Sequence, residues 1–76
     1  MIWVLAQNGK LLMYCSSFEV TKVIGGRNKA GIVAMNNDLG TSITVGTYEN
    51  EDKALDELDR IMAFINSGEK CVYKMN

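Results

Sequence analysis

The 76-residue chain contains no histidine and no proline. Without histidine there is no Ser-His or Cys-His nucleophilic pair and no His-ligated metal. Without proline there is no cis-Pro turn and no proline-rich ligand segment. Cysteine is scarce: Cys15 and Cys71 stand far apart and outside any CxxC motif, and two thiolates alone do not complete a tetrahedral zinc site. They read as small apolar side chains of a reduced, cytoplasmic protein rather than as a disulfide. Long hydrophobic runs are also missing. The apolar start, Met1 to Ala6, ends at Gln7-Asn8-Gly9-Lys10, too short for a signal core or a membrane span. No membrane, metal or cofactor is expected.

What remains is enough to fold. Apolar residues make up 47% and charged residues 22%, which excludes the low-hydrophobicity, high-charge regime of disordered chains. The length suits one domain, residues 1–76, with a thin core. A net charge of −1 gives no general affinity for nucleic acid. The charge is uneven, however. Residues 1–47 carry four positives against two negatives, and residues 48–76 carry four against seven. A basic front half and an acidic back half favour head-to-tail association or an anionic ligand on the front, against the plainer reading of solvated faces.

Asn8-Gly9 between two apolar runs predicts a hairpin with a type I′ turn. Ser16-Ser17 interrupts the second run, which then continues or restarts through Phe18 and Val20 to about Ile24. Gly31 to Met35 predicts another strand, and Asn36 to Gly40 a turn. Over 42–48, Ile43, Val45 and Thr47 are expected on one face, with Ser42, Thr44, Gly46 and Tyr48 on the other. Ala54, Leu55, Leu58, Ile61, Met62 and Ile65 share one side of a helix over about 51–67. Asn50 is its cap, Gly68 its stop, and Asp56 and Arg60 an i,i+4 pair. Cys71 to Met75 predicts a last strand beside the first. The fold class is therefore α+β: a small, mainly antiparallel sheet of four to five strands with one helix on one face, in the order β-β-β-β-α-β.

Candidate chemistry is sparse. In Gly25-Gly26-Arg27-Asn28-Lys29, Gly25 and Gly26 would admit close backbone approach, and Arg27 and Lys29 would hold phosphate oxygens. Neither P-loop nor dinucleotide spacing is met, so a plain hairpin connection competes with this reading. The carboxylates Glu51, Asp52, Asp56, Glu57 and Asp59 mostly point away from the apolar stripe, which argues against acid–base catalysis. Trp3 and Tyr14 are candidates for stacking on a base, and Trp3, Tyr14 and Phe64 for an interface between copies; core packing is the competing role.

The order of features resembles short, mostly uncharacterised phage and prophage proteins of Gram-positive bacteria. The resemblance lies in the Trp-containing strand and polar turn of residues 2–11, in Gly46-Thr47-Tyr48-Glu49 running into Lys53-Ala54-Leu55-Asp56-Glu57-Leu58, and in Val72-Tyr73-Lys74-Met75. It leaves residues 16–42 unmatched, and Asn76 stands where a final proline is usual. It implies a binding protein that blocks a host defence protein or sequesters its nucleotide signal. The expectation is a non-enzymatic homo-oligomer that sequesters a small anionic, cyclic nucleotide between subunits. The alternative is an inhibitor of a host protein acting through a sheet edge or the acidic helix face.

Overall fold

The computed structural model describes residues 2–22, 29–68 and 71–76. The fold is α+β, with strands β1 (Ile2–Leu5), β2 (Leu12–Cys15), β3 (Ser17–Lys22), β4 (Ala30–Asn36) and β5 (Thr41–Tyr48), helix α1 (Glu51–Asn66) and strand β6 (Tyr73–Lys74). The strands form two three-stranded sheets, β2-β1-β6 and β3-β4-β5. Every pairing is antiparallel except β1 with β6. The expected single sheet of four to five strands is thus corrected to six strands in two sheets. The order before the helix gains one strand, because the second run restarts at Ser17 instead of continuing.

Ser16 causes the restart. Its N–H donates to Met35 O at 2.8 Å and its hydroxyl to the same carbonyl at 3.1 Å, while the Asn37 N–H donates to the hydroxyl. The chain leaves β1 as a partner here and takes up β4. Asn36, buried, reinforces the junction: its Nδ2 donates to Tyr14 O, and its Oδ1 accepts from the Asp38 and Leu39 N–H groups in the following turn. A second seam lies at the other end of β1. Gln7 N–H donates to Val45 O at 2.7 Å, and the Gln7 side chain accepts from Thr47 N–H and donates to Thr47 O. These two seams join the sheets, the first at the passage from β2 to β3 and the second between Gln7, just after β1, and β5.

The β1–β2 hairpin forms as expected, but its turn closes one residue early. The Gly9 N–H donates to Ala6 O, and Gly9 adopts φ +71°, which a side chain would resist. The helix begins at its expected cap: Asn50 is extended, and its side chain accepts from the Lys53 N–H at 2.9 Å. Gly68 at φ +74° ends it.

Two expectations about facing residues are corrected. In β5, Ile32 pairs with Gly46 but Val33 with Thr44, so Val45 is a bulge residue. The alternation changes phase there: Ile43 packs inward as expected, but Thr47 is exposed while Gly46 is buried and Tyr48 packs on the core. The helix is rotated relative to its apolar stripe. Ala54, Glu57 and Ile61 are buried and Phe64 packs against the core, whereas Leu55, Met62 and Ile65 are exposed. A fully hydrogen-bonded glutamate, Glu57, takes an inward position that pattern alone gives to leucine.

The core is thin. Ile2, Val4, Met13, Cys15, Ile32, Val45 and Ile61 are its larger members, completed by four alanines and Met75. Each large side chain contributes about 1.5–3 kcal/mol by leaving water. With so few, the polar seams matter to stability. Replacing Asn36 with Ala removes the bond to Tyr14 O and both turn bonds, and should cost about 2 kcal/mol. Urea denaturation should show the lower midpoint, with faster amide exchange at Asp38 and Leu39. An unchanged midpoint would remove Asn36 from this role.

Candidate functional site

Chemistry concentrates where α1 faces β5 and the segment after β6. Glu57 sits on the buried side of the helix with no exposed surface. Its Oε1 accepts from Arg60 Nη1 at 2.8 Å and Asn76 Nδ2 at 3.0 Å; its Oε2 accepts from the Tyr73 hydroxyl and the Asn76 N–H, both at 3.0 Å. Burial pushes the carboxyl up, but the Asn76, Arg60 and Tyr73 donors outweigh it and hold it below the ordinary glutamate range. Tyr73 is pushed up to about 12 by burial, by donating to Glu57 and by the Glu57 charge. Helix carboxylates are expected to turn mostly outward, and Glu57 departs from that expectation because its four hydrogen bonds offset its burial. Arg60 is expected to pair with Asp56, whereas the ion pair found is Arg60–Glu57, three residues apart.

Beside this network lies an open cleft of about 290 Å³ lined by Gln7, Tyr48, Lys53, Asp56, Arg60 and Asn76. Lys53, Asp56 and Arg60 fall on one face of α1 by helical spacing. Gln7 is fixed by Thr47 and by its Nε2 donating to Asn76 O at 2.8 Å. The Tyr48 hydroxyl is buried without a hydrogen-bond partner, and burial, then the Glu57 charge, push it up to about 12. It lies so close to Gly46 that a Cβ there would stand 2.7 Å from the hydroxyl oxygen.

The residues expected to bind ligand are divided. Gly25, Gly26 and Arg27 lie outside the described residues. Lys29 is exposed, one residue before β4. Trp3 and Tyr14 come together as a cross-strand pair on the outer face of β1 and β2, ring centroids 5.0 Å apart and tilted 42°. Both are exposed, at 48% and 38%. Tyr14 lies beside Asn36, whereas Lys29 precedes Ala30 at the other end of β4. Six residues of strand separate them, on the order of 20 Å. Phe64, expected with Trp3 and Tyr14 at an interface, is not with those aromatics: it packs on the core, edge-on to Tyr73 at 5.2 Å.

Both cysteines are free, Cys15 buried and Cys71 exposed. Among the described residues no three Cys, Asp or Glu side chains group as a metal site. No described helix is long and apolar enough to cross a membrane. No family model matches the chain, and no curated protein or solved structure matches it.

The Glu57 network makes stability depend on pH. Because the folded carboxyl titrates below its ordinary value of 4.5, the unfolded chain binds more protons in the interval between the two values. The contribution is complete above the ordinary range and lost as pH falls through the folded value. Glu57→Gln places an amide N–H against donors, and should destabilise by about 3 kcal/mol at neutral pH. The gap from wild type in urea midpoint should narrow on acidification; a gap independent of pH would mean that the charge of Glu57 contributes nothing. Tyr73 adds the opposite limb, its contribution being lost as pH rises from about 10 to about 12.

Proposed function

We propose that the chain is a non-enzymatic binding protein of phage type that sequesters a small anionic, cyclic nucleotide between two copies, in the manner of a counter-defence protein. The observation that carries this reading is the Trp3–Tyr14 pair, two rings presented side by side and both exposed. A base stacked on such rings gains about 1–3 kcal/mol. The neighbouring face supplies little charge: Leu5 and Leu12 pair beside the rings, and Lys74 lies next to Leu5. Within one chain the Lys29 end of β4 is too remote to hold the phosphate of a base stacked there. In this reading a second copy brings Arg27 and Lys29 to the first copy's aromatic pair, with Gly25 and Gly26 admitting close approach.

A second reading, inhibition of a host protein, is favoured by the composition of the same face. Trp3, Leu12 and Tyr14 are all exposed, and Leu55, Met62 and Ile65 form another exposed apolar stripe on α1 beside Asp52, Asp56 and Asp59. Exposed apolar surface of this kind suits a protein partner more than a phosphate.

Trp3 is the sole tryptophan, so its fluorescence reports this face directly. Titration with cyclic nucleotides and cyclic ADP-ribose isomers should quench it for at least one member, with light scattering giving a dimer mass and the nucleotide recovered intact. Arg27→Ala should weaken that binding by about 2 kcal/mol through loss of a charged hydrogen-bond partner. If no member of the panel binds, nucleotide sequestration fails and the host-protein reading replaces it.

A further inference from the structure

The Tyr48 hydroxyl is the one described buried side-chain polar atom without a partner, and its residue lines the cleft between α1 and the C-terminal segment. A buried hydroxyl left unpaired is costly, and such an atom at a cleft is satisfied by whatever occupies it. Gly46 leaves room for it, since any side chain there would meet the hydroxyl oxygen.

The rest of the lining has a defined chemistry. Arg60 donates to Glu57 through Nη1, which fixes the guanidinium while its remaining N–H groups stay open at a side-chain exposure of 56%. Lys53 stands two helical turns before it on the same face, and no side-chain ion pair ties it to another described residue. A planar fork and a flexible point charge on one rim suit a phosphate. Asp56 lies between them on the helix and would repel a bare anion, but its carboxylate accepts from hydroxyl groups. Gln7 and Asn76 are already held, by Thr47 and by Glu57, so little ordering remains to be done on binding.

We propose that this cleft binds the phosphorylated sugar of a small molecule: phosphate on Arg60 and Lys53, sugar hydroxyls on Asp56, and the Tyr48 hydroxyl bonded to the ligand. At about 290 Å³ the cleft is at the lower end of small-molecule sites, which suits a sugar phosphate. The site rests on the reading above only in taking the ligand to be an anionic small molecule, and it lies apart from the Trp3–Tyr14 pair.

The probes are ribose 5-phosphate, inorganic phosphate and ribose, followed by calorimetry and by the amide resonances of Thr47, Lys53 and Asn76. Ribose 5-phosphate should bind more tightly than either fragment and move those resonances. Lys53→Met should weaken it about tenfold. Asp56→Asn should weaken ribose 5-phosphate and leave inorganic phosphate no weaker. Tyr48→Phe gives the sharpest contrast: removing an unpaired hydroxyl should leave the melting temperature equal or higher, yet binding should weaken several-fold. Absence of binding overturns the proposal. So does equal affinity for ribose 5-phosphate and inorganic phosphate, or wild-type affinity in both Lys53→Met and Tyr48→Phe. A nucleotide that quenches Trp3 without moving the cleft resonances also overturns it while sparing the aromatic site. Ribose 5-phosphate that moves them when no nucleotide quenches Trp3 supports the cleft and removes the aromatic site instead.

Discussion

One carboxylate under the helix holds the end of the chain in place. β6 is two residues long and pairs in parallel with β1, a contact too short to hold a strand by itself. Besides the Met75 N–H bond to Leu5 O, the segment is bound through Glu57, which takes the hydroxyl of Tyr73 in β6 and both the backbone and side-chain N–H of Asn76. Burying a charge is unfavourable unless its oxygens are filled, and here each accepts two hydrogen bonds. Arg60 supplies the countercharge from the same helix. The cleft beside it inherits this order, since Arg60 and Asn76 line both the network and the opening.

The junction of the two sheets follows a similar economy of polar contacts. Seventy-six residues cannot enclose a large apolar core, and four of the buried positions are alanine. The sheets are joined by Ser16 and Asn36 at one seam and Gln7 at the other, each linking main chain that regular pairing leaves apart. The bulge at Val45 lies next to the Gln7 seam, and the Gln7 N–H bonds to the bulge residue's own carbonyl. The same bulge turns Tyr48 inward, which sets its buried hydroxyl against Gly46 while the residue lines the cleft. The Gln7 seam and the cleft therefore share residues.

Among the described residues, the Trp3–Leu12–Tyr14 face and the Leu55–Met62–Ile65 stripe are exposed apolar surfaces. The second arises because Glu57 and Phe64 take the inward positions of the helix.

Local features were legible in the sequence. Asn8-Gly9 marked the first hairpin, Asn50 and Gly68 bounded the helix, and the apolar runs located the strands, because caps, turns and short periodicities are set by neighbours within a few residues. The burial of Glu57, the inward turn of Tyr48, the preference of Arg60 for Glu57 over Asp56, and the cleft itself were settled only by tertiary structure. The partners of Glu57 come from residues 73 and 76, and the phase of β5 from a bulge against β4. Contacts between distant segments decide which side of an amphipathic element faces inward whenever a polar side chain can be fully hydrogen-bonded there, and no window along the sequence contains both halves of such a contact.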